Sequence, residues 1–271
     1  NTLNYNFSEV FSDSRHKLDI LLGQEYILAQ SNTFSTTVEN FPDFFDAAMA
    51  WNYMSTGTSI SSNNYYDPND KLLSFFGRVN YDFDGRYSVS ATVRADGSSK
   101  FTKGNQWGYF PSAAASWTLS NESWLKDASW LDNLKLRYSF GTAGNNNIPS
   151  GVTALSFASN NSAWISQSNT YWSTATVGGK TIMPNPDLTW ETTLSHNIGV
   201  DFSFLRSRVN GTFELYHNTT KDLLIQFPTA GSGYQFQYRN MGSVLNKGLE
   251  LSLSLSLIHI SEPTRLAVIS Y

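Results

Sequence analysis

The side chains of this chain with the most chemical potential fall into two sets that differ in kind. The first is a series of charges: Arg78, Asp82, Arg86, Arg94, Lys135, Arg137, Glu191, Asp201, Arg208 and Glu214, each set in a stretch where about every second residue is apolar. Six are cations and four are anions. That pattern suits a hydrated, mutually ion-paired wall, or a path for a polar solute, and exposed pairs of this sort contribute only roughly 0–1 kcal/mol each. The second set is aromatic: Trp51, Tyr53, Trp107, Tyr109, Trp164, Tyr171, Trp172, Tyr234, Phe236 and Tyr238. Most of these lie in long segments rich in Asn, Ser and Gly. Their flat π faces match the apolar faces of sugar rings, and the plainer role for such rings is packing loops together or marking a membrane interface.

Neither set is a reaction centre. His16, His196, His217 and His259 lack the spacing of metal ligands. Asp96-Gly97-Ser98-Ser99 lacks the further carboxylates of a calcium loop, and Gly231-Ser232-Gly233 lacks the strand, helix and acidic partner of a dinucleotide site. No Ser, His and Asp grouping and no paired carboxylates stand out. The expectation is no enzyme, no metal and no cofactor.

The elements that must carry these residues are amphipathic strands. Across 73–94, Leu73, Phe75, Val79, Tyr81 and Phe83 alternate with polar residues; after Asp84-Gly85, Tyr87, Val89, Ala91 and Val93 do the same. Period two places one kind of side chain on each face of a sheet. A two-residue turn would mix the faces by pairing Phe83 with Arg86. A three-residue turn with Gly85 left-handed keeps them pure and is expected to pair Asp82 with Arg86. Each strand runs about ten residues, near the roughly 9–11 that a tilted strand needs to cross a bilayer. The same alternation recurs near 3–7, 17–22, 111–119, 134–141, 190–202, 208–215 and 248–254, giving about nine strands.

Their connections alternate in length. Short ones fall near 9–15, 84–85, 120–133 and 203–207, and long ones at 29–71, 95–110, 142–189 and 219–244. In a meander, alternate connections share one end, so short turns and long loops define opposite rims, as in outer-membrane barrels. Pro42 is expected to start a helix over 42–54, and Asn121 to cap a helical turn in 120–133. Trp107, Tyr109 and Phe110 at one end, and Trp117, Trp124 and Trp130 at the other, are candidates for two aromatic girdles.

Composition agrees. Charged residues are 15% of the 271, against about 25% in ordinary soluble domains. Mean hydropathy is -0.32, as expected when half of every strand is polar, and no apolar run approaches the length of a helical span. A net charge of -4 argues against a nucleic-acid partner. Cysteine is absent, which excludes a disulfide scaffold. The chain opens on Asn1 without a leader, so it is expected to be a fragment. Residues 1–254 read as one barrel segment. The alternation stops near Leu255, and 255–271 resemble the translated read-through of a sequencing adaptor, an expected non-native tail.

Several segments resemble the barrel of SusC/RagA-type TonB-dependent outer-membrane transporters of Bacteroidota. They are RVNYDFDGRYSVSATVRADGSSKF (78–101), WGYFPSAAASW (107–117), LKLRYSFGTAGNNNI (134–148), NPDLTWETT (185–193), NIGVDFSFLRSRV (197–209), TKDLL (220–224) and NMGSVLNKGLEL (240–251). The resemblance implies an all-β, partial transmembrane antiparallel up-and-down barrel: an open curved sheet of about nine to ten strands from a 22-stranded cylinder. It also implies outer-membrane lipid around it, a SusD-like surface lipoprotein as partner, a TonB complex acting through the missing N-terminal part, and an oligosaccharide or peptide as cargo. A competing reading is a soluble β-sandwich carbohydrate-binding module, whose apolar face would lie under a second sheet.

Overall fold

The computed structural model describes residues 1–7, 15–66, 70–155, 157–161, 170–174, 176–177 and 180–256. Nine strands form one sheet in chain order: β1 (Thr2–Asn6), β2 (His16–Ala29), β3 (Asp70–Phe83), β4 (Tyr87–Ser98), β5 (Trp107–Thr118), β6 (Leu131–Asn145), β7 (Glu191–Phe204), β8 (Val209–Lys221) and β9 (Ser243–Leu255). Each pairs antiparallel with the next, and the two outer strands do not meet, so the sheet is an open meander. Nine strands were expected, and all but β1 are longer than expected, at 12–15 residues. At about 3.4 Å per residue, fourteen residues reach about 48 Å, well beyond an apolar band about 25 Å tall. Strict alternation marks only the part of a strand inside that band; beyond it, hydrogen bonding continues without the apolar signature. β9 runs through Leu255 opposite Val209, one residue past the expected wall boundary. The remainder of the proposed tail, from 257 onward, lies outside the described residues.

The first tight turn keeps the expected parity in a shifted register. Phe83 pairs with Tyr87 and Asp82 with Ser88, not with Arg86. Asp84 and Gly85 both adopt left-handed backbone, with φ of 58° and 63°. The Arg86 N–H donates to the Phe83 carbonyl at 2.9 Å. Two left-handed residues in succession match the twist of a hairpin, and Arg86 becomes an additional turn residue. The faces stay pure, while Arg86 turns to Asp84 and Glu122 instead of Asp82.

Two helix expectations need correction. The loop helix spans Ala47–Asn52 and starts at Asp46, whose Oδ1 accepts from the Met49 N–H at 2.7 Å, rather than at Pro42. A side-chain acceptor satisfies a free N–H at the first turn, which Pro42 cannot do. Asn121 closes the short 3-10 turn Leu119–Asn121 and caps nothing; its Nδ2 donates to the Gly85 carbonyl of the neighbouring turn.

The long connections carry strands of their own. Asn32–Glu39 pairs with Thr58–Tyr66, Phe157–Asn161 pairs with Thr170–Thr174, and a four-stranded sheet joins Thr176–Val177, Lys180–Met183, Phe236–Asn240 and Leu224–Pro228. The main buried hydrophobic cluster lies here and not within the nine-stranded sheet: Phe101, Ile148, Val152, Ile182 and Leu188, flanked by Trp190, Leu224 and Tyr238.

Candidate functional site

Register places the expected charges on one face. Arg78 pairs with Thr92 and donates to its hydroxyl at 3.3 Å. Asp82 accepts from the Ser88 hydroxyl at 2.6 Å and from the Gly85 N–H at 3.0 Å. Arg94 donates to Asp96, to Glu25 on β2 at 2.8 Å and to Ser74 on β3 at 3.0 Å, with its guanidinium over the Phe76 ring. Farther along the same face, Arg137 grips Asp201 through two parallel bonds of 2.7 and 2.8 Å and reaches Glu214 at 2.6 Å. Asn197 donates to the other Glu214 oxygen. Lys135 pairs with Asp201 in register.

Two of the expected wall charges stand in turns instead. Arg86 belongs to the 84–86 turn, and Arg208 precedes β8 in a turn where Leu205, Arg206 and Ser207 all have φ near +57°. Glu191 opens β7 at the long-loop rim, accepting from Asn145 and from the Leu224 N–H. A groove of about 350 Å³ follows the charged face past Lys17, Asp19, Asn80, Asp82, Lys135 and Arg137. Its chemistry is ion pairing and hydrogen bonding.

The opposite face is apolar and bare. Val79, Val89 and Leu136 are 41%, 49% and 40% exposed, and Ile198, Leu215 and Leu251 stand open beside them. A sandwich would have covered them with a second sheet, so this surface does not favour the soluble module. Near the short turns the same face carries a ladder of rings, with Phe83, Tyr87 and Trp117 stacked in sequence and Trp130 stacked on Phe204 at 5.8 Å. Glu122 closes the ladder from the 119–130 connection. Its carboxylate accepts from the Tyr87 hydroxyl at 2.6 Å, from the Trp117 indole at 3.0 Å and from Arg86 at 3.4 Å. The Tyr87 hydrogen bond foremost, then Trp117 and Arg86, holds the Glu122 carboxyl below the usual glutamate range.

The aromatic candidates do not converge on one site. Trp107 and Tyr109 stand on the bare apolar face of β5, in register with Gly97 and Ala95, and Trp107 stacks on Phe75. Trp51, 77% exposed, and Tyr53 belong to the 29–71 loop, where Tyr53 meets Phe45. Phe236 and Tyr238 share a strand of the loop sheet: Lys180 lies over the Phe236 ring and Tyr238 packs on the buried cluster, while Tyr234 lies half-buried just before them. Trp164 and the side chains of Tyr171 and Trp172 lie outside the described residues.

What the sequence reading passed over is the seam joining the loops. Leu188, fully buried, sits in the NPDLTW segment. Asn185 in that segment donates its N–H to the Val152 carbonyl and its amide to the Tyr238 carbonyl. Asn240 exchanges two hydrogen bonds with the Thr189 backbone and reaches the Asp222 carbonyl. Trp190 is no strand residue; it precedes β7 and packs between Phe101 and Phe110, 5.4 and 5.5 Å from them. Phe110 in turn lies against the bare backbone of Gly108 and Gly144. The signal was present, since six of the seven motifs quoted above contain at least one of these residues. Periodicity was blind to it because the residues come from six separate stretches of the chain.

Known proteins share this architecture. A family model described as TonB dependent receptor-like, beta-barrel, matches residues 1–268. TonB-dependent receptor SusC of Bacteroides thetaiotaomicron is 38% identical over 194 residues, 70% of this chain and 19% of that protein. TonB-dependent receptor P3 of Formosa agariphila is 31% identical over 263 residues, 94% of this chain and 25% of that protein. The chain thus spans about a fifth to a quarter of these relatives. The solved RagAB peptide transporter superposes with a TM-score of 0.81 at 30% identity, covering 96% of this chain and 27% of that one. The siderophore receptor PirA of Pseudomonas aeruginosa, at 16% identity and a TM-score of 0.55, shares the fold.

Proposed function

We propose, from the premise that this chain belongs to the TonB-dependent receptor-like β-barrel family, that it forms part of the wall and outer rim of an outer-membrane importer. One observation carries the reading: a nine-stranded meander with an uncovered apolar face and an opposite face of paired charges. Apolar side chains directed to lipid and polar ones to a hydrated lumen are what a membrane barrel requires. The cargo class is an oligosaccharide or a peptide, supported by likeness to SusC and to a peptide transporter. A SusD-like surface lipoprotein would seat on the long-loop rim, and TonB would act through a part of the receptor outside this span.

Within that reading, Trp51, Tyr53, Tyr234, Phe236 and Tyr238 are the rim aromatics proposed to meet cargo. Trp107 and Tyr109, on the apolar face, are proposed as girdle residues instead. The lumen charges act mainly on one another, because Arg94 and Arg137 each hold two carboxylates. Expression of the whole receptor tests the proposal. It should fractionate with the outer membrane, migrate faster unheated than heated, and restore TonB-dependent growth of a receptor-deleted strain on one cargo class. Recovery in the soluble fraction would overturn it.

A further inference from the structure

We infer that the outward face of β7, β8 and β9 carries a seat for a phosphate-bearing lipid headgroup, at the outer edge of the apolar band. The inference rests on the barrel reading above. His196 on β7, His217 on β8 and Lys247 on β9 stand opposite one another in register. They share the face of Ile198, Leu215 and Leu249, not that of the lumen charges. Adjacent strands lie about 4.8 Å apart, so the three side chains spring from a row about 10 Å wide. The two imidazole rings are 6.4 Å apart, and the Tyr138 hydroxyl, 3.0 Å from Nδ1 of His196, fixes one of them.

Charge on this face is uncompensated. Tyr138 and Phe140 face the row from β6, and Lys221 lies two rungs further toward the long loops. Among the described residues, the acids Glu191, Asp201, Glu214 and Glu250 of these strands alternate to the other face. Asp132 is held at the opposite end, where it accepts from the Ser207 N–H.

Height decides what the row meets. Phe204, stacked on Trp130, marks the short-turn edge of the band. His196 lies eight residues up the same strand, about 21 Å along the membrane normal for a strand tilted about 40°. The apolar band is about 25 Å tall, so the row lies at its upper edge, where Lys247 can extend its stem to the headgroups. On β5 the residue in register with this row through Phe140 is Ala113, and Tyr109 lies four residues further toward the long loops. The row thus sets one ammonium, Lys247, beside two imidazoles at the upper edge of the band. Acyl chains offer cations nothing, whereas a headgroup phosphate accepts from an ammonium and from imidazole N–H groups at once.

The test uses the whole receptor in phosphatidylcholine nanodiscs containing a minor fraction of bis-phosphorylated lipid A, with retained lipid counted by native mass spectrometry. The native receptor should retain lipid A in preference to phosphatidylcholine. Lys247→Gln combined with His217→Asn should lower retention about tenfold. Lys247→Gln alone removes charge at the end of a flexible stem without disturbing packing, and should lower it severalfold. Lys247→Arg should preserve it, as should Lys126→Gln on the opposite rim. Equal retention by the charge-removing variants overturns the inference, as does equal retention of dephosphorylated lipid A. Displacement by equimolar inorganic phosphate assigns the site to free phosphate and also overturns it. A receptor that inserts and is heat-modifiable but retains no lipid A defeats this inference alone; one that fails to insert defeats the barrel reading beneath it.

Discussion

The guanidinium of Arg137 lies across the bare backbone of Gly199 on its way to Glu214. Arg137, Gly199, Glu214 and Glu250 stand in one row over four strands. A Cβ at Gly199 would lie 3.0 Å from Nη2. The glycine thus opens the span that lets one arginine serve carboxylates on two strands.

Arg137→Ala should destabilise by about 1 kcal/mol, toward the upper end for partly exposed pairs because the Asp201 contact is bidentate. A double-mutant cycle of Arg137→Ala with Asp201→Ala, read as unfolding free energy in lipid vesicles, should show positive coupling. Strictly additive costs would mean the pair contributes nothing.

The glycines of the wall should not be equivalent. At Gly144 a Cβ would come within 2.0 Å of the ring of Phe110, which is buried; at Gly199 it meets only the far end of an arginine side chain, no closer than 3.0 Å. Gly144→Ala should therefore cost about 1–3 kcal/mol by overpacking, and Gly199→Ala less than 1. The comparison is of their denaturation midpoints in one detergent.

Face identity can be checked on neighbouring residues. Phe213 and Thr212 adjoin on β8 and point to opposite sides, opposite Val200 and Asp201 respectively. Phe213→Arg should cost about 2–4 kcal/mol in lipid, since it lies near the middle of the apolar band, and Thr212→Arg little. Similar folding yields in vesicles would contradict the assignment of faces.

Acid should act through Glu122. Its folded pKa lies below the ordinary 4.5, set chiefly by the Tyr87 hydrogen bond. The stabilisation is therefore complete above that ordinary value and is lost as pH falls through the lower folded one. Thermal midpoints of the native protein should decline on acidification below about 4.5. Glu122→Gln should start lower and flatten that decline; an unchanged pH slope would refute the linkage.

Leu188→Ala should leave a cavity costing about 2–5 kcal/mol. The cost should be local, because Leu188 belongs to the loop cluster and not to the nine-stranded sheet. Limited proteolysis should cut the 142–190 and 222–242 loops faster while heat-modifiable migration persists.

The wall was largely legible in the sequence because burial there has a simple period. Val79, Val89, Leu136 and Ile198 alternate with charges, so strand count, faces and the rim of each loop followed. Turn register was less legible: Asp84 and Gly85 both turned left-handed, which moved the partner of Asp82 from Arg86 to Ser88. Least legible was the partner of each charge. Glu25 and Arg94 are 69 residues apart, and the intervening loop carries no pattern that predicts their contact. The loop seam stayed hidden for the same reason, since Asn185 and Asn240 bridge backbones that meet only in three dimensions.

The buried cluster of Phe101, Ile148, Val152, Ile182 and Leu188 has one more implication. Because the crown owns a nucleus of its own, its exposed tips are free to diversify while the staves below keep their pairing. On the importer reading proposed above, new cargo preferences would arise by rewriting those tips, with the amides of Asn185 and Asn240 as the fixed clasps between which novelty is tolerated.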